Sequence, residues 1–381
     1  MRSRGVKLAA PPRQDEIELS LFGPGFGECI VLHLCNSEWV VVDSCLDPAS
    51  KRPAALEYLR SINVNVANSV RLVMASHWHD DHIRGISSVF DAATSSIFSC
   101  TAAVRSKEFE KILSSWRGTR FLPTGSGVDE ISAILRELSV RRNDTRFPAP
   151  KLASSDKLLW QRQTHPVVSI KALSPSDAGV VAAIARLGPL LPKKDGLRRR
   201  LPGLGPNDCS VVLAVSVGNH KLLLGADLEV HVDPSLGWSG ILETSKDEGK
   251  HDIFKVPHHG SPSSYDVRIW EKMLAQGVFA VATPFVSGRI MLPSPSDCKR
   301  ILSHTQNAYL TAMPRPAKYR DSNRTVEKMV TEVTKKAHFV PSKYGHVRFR
   351  KSIKSLPTTA WQVELFGDAT PMDDFIRSHS E

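Results

Sequence analysis

Residues His77, His79, Asp81 and His82 place four metal-capable side chains in the spacing H-x-H-x-D-H, within the run His77-Trp78-His79-Asp80-Asp81-His82. Imidazole suits zinc and other borderline first-row cations, and a carboxylate can serve the same ion or a neighbouring one. The preceding apolar run, Val70-Arg71-Leu72-Val73-Met74-Ala75, predicts a strand that ends near Ser76. The cluster then falls on the loop and first turn that leave the strand. There His77 and His79 can point one way and Asp81 and His82 another. That suggests two metal ions side by side, an arrangement suited to in-line attack on a phosphate or acyl centre. A plain surface histidine cluster is the alternative, but packing gives no reason for this spacing.

Three further signals sit at the ends of expected strands. Asp43 closes Trp39-Val40-Val41-Val42, where a buried carboxylate can hold a ligand imidazole in one tautomer. Asp227 closes Leu222-Leu223-Leu224-Gly225-Ala226, and its two oxygens can bridge two cations. His258-His259 follows Lys255-Val256-Pro257. Adjacent residues at a strand end point to opposite sides, so one of the two is a ligand. The other contacts a substrate phosphate or protonates a leaving group. Taken singly, an Asp after a strand is more often a turn cap, and a His pair more often surface. Asp80 reads as a loop-stabilising or solvent-facing carboxylate.

The elements that must hold these residues are readable in outline. Alternation predicts a strand over Glu16 to Phe22, and two more over Cys29 to Leu34 and Trp39 to Val42. Helices are expected over Pro53 to Ile62, from Ile83 to Phe90, over Val128 to Val140 and over Ser296 to His304. In the third of these, Ile131, Ile134, Leu135 and Leu138 share a core-facing stripe. Further strands are expected over Val167 to Leu173, Ser210 to Val217, Lys221 to Leu224, Phe254 to Val256, Val278 to Thr283, Val347 to Arg350 and Trp361 to Leu365.

The chain of 381 residues is 41% hydrophobic and 23% charged, enough for a large core in one big domain or two moderate ones. A formal net charge of +11 favours an anionic partner. The cysteines Cys29, Cys35, Cys45, Cys100, Cys209 and Cys298 form no C-x-x-C pair and read as reduced core residues. No stretch approaches the roughly 18–20 apolar residues of a membrane span. A soluble, cytoplasmic protein without a membrane partner is the expectation.

Asp43, the H-x-H-x-D-H run, Asp227 and His258-His259, in this order, resemble the metallo-β-lactamase superfamily. The resemblance is closest to the soluble metallo-β-lactamase-like domain of the DNA-uptake competence proteins, ComEC. It is carried also by Gly25-Phe26-Gly27-Glu28-Cys29-Ile30-Val31-Leu32, Asn207-Asp208-Cys209-Ser210-Val211-Val212-Leu213, Leu223-Leu224-Gly225-Ala226-Asp227-Leu228-Glu229 and Val256-Pro257-His258-His259-Gly260-Ser261. The resemblance implies an α/β fold, the αβ/βα four-layer sandwich. It divides the chain into a tail over 1–14, a hydrolase domain over 15–305 with a basic insertion at 177–206, and a C-terminal extension over 306–381. It makes His77 and His79 ligands of a first metal, and Asp81, His82 and one of His258 and His259 ligands of a second. Asp227 bridges. His259, directly before the glycine, is the preferred ligand, which leaves Asp81, Asp227 and His258 as the catalytic set and Asp43 as support.

This chain departs from the pattern in two places. Many members have a third histidine for the first metal, and neither His165, His220 nor His231 fits that place well. The His-Pro that follows the last core strand in the competence proteins is Ser294-Pro295 here.

The implied cofactors are two divalent ions, Zn²⁺ first and Mn²⁺ second. The implied activity is that of a phosphodiesterase or nuclease acting through metal-bound hydroxide, with nucleic acid or another phosphodiester as substrate. Lys193, Lys194, Arg198, Arg199 and Arg200 in the insertion are candidates for phosphate contacts, beside Asn207, Ser210 and Ser261. A solvated loop explains the basic residues equally well, and Arg315, Lys318, Arg320 and Arg324 read as a solvated surface stretch. The alternatives are hydrolysis of a small phosphodiester, cyclic nucleotide or lactone, or a binding or scaffold role with a degenerate metal site. A regulatory protein partner is a further expectation.

Overall fold

A computed structural model gives the protein's structure and describes residues 10–23, 27–105, 127–187, 206–245, 249–287, 290–314, 344–355 and 359–378. Lys193, Lys194, Arg198, Arg199 and Arg200, and the stretch from Arg315 to Arg324, lie outside these residues. The strands are β1 (Glu16–Gly23), β2 (Cys29–Leu34), β3 (Trp39–Val42), β4 (Val70–Ala75), β5 (Ile97–Thr101), β6 (Lys151–Ala153), β7 (Lys157–Arg162), β8 (Val168–Ala172), β9 (Leu213–Val217), β10 (His220–Leu224), β11 (His251–Lys255), β12 (Leu274–Ala282), β13 (Phe285–Ser287), β14 (Ile290–Leu292), β15 (Ala308–Leu310), β16 (Gly345–Ser352), β17 (Gln362–Gly367) and β18 (Thr370–Pro371). One eight-stranded sheet runs β17-β16-β1-β2-β3-β4-β5-β6 and the other β18-β15-β12-β11-β10-β9-β8-β7, with β13 and β14 as a small hairpin. Each sheet passes from antiparallel hairpins to a parallel set, β3-β4-β5-β6 in one and β10-β11-β12-β15 in the other.

Alternation along the strands builds the layers. Ile17, Leu19 and Leu21 of β1, Leu32 of β2 and Leu72 of β4 face Leu213, Val215, Leu222 and Leu224 across a core between the sheets. The opposite faces are apolar too, and helices cover them. Over the first sheet lie α1 (Ala54–Ser61), α2 (Val66–Ser69), α3 (Asp80–Ile83), α4 (Ile86–Ala92) and α5 (Gly127–Arg141). Tyr58, Leu59, Ile86, Val89, Ile131 and Ile134 pack there. The chain continues with α6 (Asp177–Leu187), α7 (Gly237–Thr244), α8 (Pro295–Leu302) and α9 (Met372–Arg377). Trp238, Ile241, Cys298, Ile301, Met372 and Phe375 pack against the second sheet. This is the αβ/βα four-layer sandwich that the sequence resemblance implied.

Several details differ from the sequence expectation. The helix expected from Ile83 is broken at Gly85, whose φ of 80° no ordinary helix residue adopts. Leu135, expected on the core stripe of α5, is 39% exposed, because Ile131, Ile134 and Leu138 already fill the contact. The segment expected as a basic insertion opens with the helix α6. Ser294-Pro295 starts α8: Ser294 caps it and forms a reciprocal capping box with Asp297. Residues after 305 supply strands to both sheets, and β16 pairs with β1 over its whole length. All six cysteines are free and buried. Among the described residues, no helix is long and apolar enough to cross a membrane.

Leu213→Ala in the inter-sheet core is expected to lower unfolding free energy by about 2–5 kcal/mol in urea melts. Val232→Ser, at a fully exposed position, is expected to leave it unchanged.

Candidate metal centre

The ends of β3, β4, β10 and β11 converge at one mouth of the sandwich. Backbone bonds hold them there. Val211 N–H donates to the Ser76 carbonyl at 3.0 Å, and Asp43 N–H to the Met74 carbonyl at 2.8 Å. The Gly225 N–H donates to the Lys255 carbonyl at 3.1 Å. A Cβ at Gly225 would sit 2.9 Å from that same oxygen, so only glycine lets the ends of β10 and β11 approach this closely. Asp43, Ala226, His258 and His259 all have positive φ, between 44° and 60°. Such backbone is costly for these residue types and persists only where the surroundings fix it.

Three donor groups result; Asp43, His77 and His82 form one, and the other two share Asp227. Asp81, His82, Asp227 and His259 form one; His77, His79 and Asp227 form the other. Within each group the candidate ligand atoms lie within 4.8 Å of one another. All but His79 are buried. Asp227 Oδ1 lies 3.3 Å from His82 Nε2, while its Oδ2 lies 3.4 Å from His259 Nε2 and 4.0 Å from His77 Nε2. His259 Nε2 is also 3.3 Å from Asp81 Oδ2.

The remaining ring nitrogens are committed elsewhere, and this fixes the tautomers. His259 Nδ1 donates to the Thr283 carbonyl at 3.0 Å. His82 Nδ1 donates to Asp43 Oδ2 at 2.8 Å. Asp43 also accepts from Ser76 N–H and Ser76 Oγ, each at 2.7 Å. With its proton given to Asp43, Ser76 Oγ can accept from His77 Nδ1 at 3.0 Å. Asp43 therefore orients His82 directly and His77 through Ser76, with both Nε2 atoms turned toward Asp227. Ser76 was not singled out from sequence.

His82 Nε2, His259 Nε2 and Asp227 Oδ1 are buried and make no well-formed hydrogen bond, facing only one another, Asp81 and Lys255 at 3.3–3.9 Å. Buried polar atoms of this kind call for a partner. Oriented imidazoles and a shared carboxylate fit one or two divalent cations of the zinc or manganese type.

Electrostatics separates the two groups. Burial pushes the His77 and His79 imidazoles down, and they are neutral at pH 7. Burial also opposes charge on His259, but Asp227 and Asp81 outweigh it and lift its pKa to about 9. His82 is raised well above its ordinary value, because the same two carboxylates outweigh burial. Burial would raise Asp81 and Asp227, yet the imidazoliums pull both below the ordinary carboxylate range.

His258 stands apart from both groups. It is partly exposed at the rim, with Nδ1 3.1 Å from Glu229 Oε1 and 3.1 Å from Ser263 Oγ. Asn207 Nδ2 lies 3.3 Å from His258 Nε2 and donates to Glu229 Oε1 at 3.0 Å. Ser261 touches Ser263 on the same rim, its Oγ 3.0 Å from Ser263 Oγ. Ser210 is buried beside the end of β4, its carbonyl accepting from Ser174 Oγ at 2.6 Å. Asp80 accepts from the Gly127 N–H at 2.7 Å and so holds the start of α5, the loop-stabilising part expected of it.

The candidates for a third histidine lie elsewhere. The β8–β9 and β9–β10 registers put His165 and His220 at the end of the sheet away from the mouth. His231 Nδ1 accepts from the Asp233 N–H at 2.9 Å. Among the described residues, no third imidazole joins the His77–His79 group. Sequence reasoning also missed Glu28, Lys255, Thr283 and Glu229. Glu28 lies in a stretch that carries the resemblance and Lys255 in the run before His258-His259, but no local pattern marks the two as partners.

Fold and site together define an αβ/βα sandwich with a histidine–aspartate metal centre at the mouth between its sheets. No family model and no curated protein matches the chain. Solved structures similar to it include a metallo-β-lactamase, SMB-1, bound to 2-mercaptoethanesulfonate, at 13% identity and TM-score 0.33 over 65% of this chain and 81% of that one. The metallo-β-lactamase fold protein YhfI from Bacillus subtilis is similar at 11% identity and TM-score 0.31, covering 63% and 70%. A subclass B3 metallo-β-lactamase from a soil metagenome library gives 11% and 0.32, covering 66% and 82%.

Three outcomes are expected. Protons on His259 stabilise the metal-free fold fully below about pH 6.5, the ordinary histidine value, and this contribution is lost as pH rises through about 9. Chelator-treated protein should therefore lose thermal stability across that window, and Zn²⁺ uptake at pH 7 should release protons, measured by calorimetry in buffers of different ionisation enthalpy. Zinc uptake without proton release would contradict the charge assignment. Asp43→Ala should weaken Zn²⁺ binding about 10–100-fold in a chelator competition.

Proposed function

We propose that the protein is a metal-dependent hydrolase whose substrate is a phosphodiester, with nucleic acid first among the candidates. The observation that carries this reading is the sharing of Asp227 by the two donor groups. A pair of divalent ions supplies Lewis acidity toward a phosphoryl oxygen and a water of lowered pKa. The chain's own residues do the rest. Asp43 and Ser76 hold His77 and His82 in the tautomers that direct Nε2 inward. His259 is held in the same sense by Thr283. The contact of His258 with Glu229 at the rim supports a role for it in proton transfer at the leaving group, with burial holding its imidazole below the ordinary value. Asn207 and Ser261 on that rim are placed to meet the substrate beside it. The net charge of +11 supports an anionic substrate over a neutral one.

Purified protein loaded with Zn²⁺ or Mn²⁺ is expected to cleave labelled single- or double-stranded DNA or RNA. A folded His77→Ala/Asp227→Ala double variant should not. Metal-loaded wild-type protein that leaves every nucleic acid intact would turn the reading toward a small phosphodiester.

A further inference from the structure

We propose that Lys255 and Glu28 form a positioning pair that sets Asp227 and His259 for the second cation. This rests on the reading of the site as a metal centre. Both side chains are fully buried. Lys255 Nζ lies 2.7 Å from Glu28 Oε1, donates to the Ala226 carbonyl at 2.9 Å and stands 3.7 Å from Asp227 Oδ1. It therefore grips both Asp227 and the left-handed residue before it, Ala226 at φ 44°. Glu28 reaches the other two ligands. Its N–H donates to the Asp81 carbonyl at 2.8 Å. Its carboxylate accepts from Thr283 Oγ1, and the Thr283 carbonyl accepts from His259 Nδ1.

Stability alone does not account for such a pair. Removing two charges from water costs about as much as their attraction returns, and an apolar pair of similar volume is often as stable or more so. What an apolar pair cannot do is hold the carbonyl before Asp227 through Lys255 Nζ and the Thr283 hydroxyl beside His259 through the Glu28 carboxylate; the bond to the Asp81 carbonyl is made by the Glu28 backbone N–H, whatever the side chain. Being neutral as a unit, the pair also adds no net charge to the cluster. Breaking it does. Without the Glu28 carboxylate, the Lys255 ammonium faces Asp227 alone and competes with a cation there.

The test compares wild type, Glu28→Gln, and the double variant Glu28→Gln/Lys255→Met by Zn²⁺ titration against a chelator, with circular dichroism and thermal melts alongside. Glu28→Gln is expected to weaken uptake of the second Zn²⁺ at least about tenfold, the size of effect that orienting partners have at metal sites. The double variant removes the stray charge and should recover thermal stability, yet still bind the second ion at least about tenfold more weakly than wild type. A pair with a structural role only would let the double variant recover both, which overturns the inference. If Glu28→Gln does not fold, the double variant decides alone. Wild-type protein that takes up no Zn²⁺ would overturn the metal centre itself, and this inference with it.

Discussion

Asp43, Asp81 and Asp227 are buried within one small volume, and the fold must neutralise them. Isolated carboxylates in such a place would cost several kcal/mol each, far more than a marginally stable domain has to spare. The chain answers with His82 and His259 at contact distance, with the neutral His77 beside them and the Lys255–Glu28 pair behind. In the metal-free state the positive charge comes from protons on His82 and His259.

The architecture serves this cluster. Each sheet turns from antiparallel hairpins to parallel strands, and the loops after β3, β4, β10 and β11 open at the same mouth. Positive φ occurs at Asp43, Ala226, His258 and His259, next to or within the centre, as it does at turn residues elsewhere in the chain. The apolar layer between the sheets and the helical covers give the rigidity that keeps such conformations in place. The orienting bonds, Asp43 to His82 and Ser76, and Thr283 to His259, then determine which nitrogen of each ring faces inward.

Much of this was legible in the sequence because the chemistry is local. The H-x-H-x-D-H run lies on one loop, and Asp43, Asp227 and His258-His259 each end an apolar strand. Which of His258 and His259 turns inward was not settled by strand geometry, since both residues leave the strand with left-handed backbone. Burial settles it: His259 is 2% exposed and His258 sits at the rim. Short strands such as β6, with three residues, have too little alternation to read. Glu28 and Lys255 were invisible for a different reason. Their meaning lies in a pairing between strands 227 positions apart in sequence, across the two sheets. The exposed Leu135 shows the converse, an apolar periodic position that the tertiary contact does not need.

The most direct test of a shared-carboxylate centre is X-ray absorption on the zinc-loaded protein. A centre bridged by Asp227 gives imidazole-rich coordination with a metal–metal vector of about 3.5–4 Å, lost when Asp227 is replaced by Ala. A single zinc shell with no metal–metal scattering at full loading, unchanged by Asp227→Ala, would contradict it.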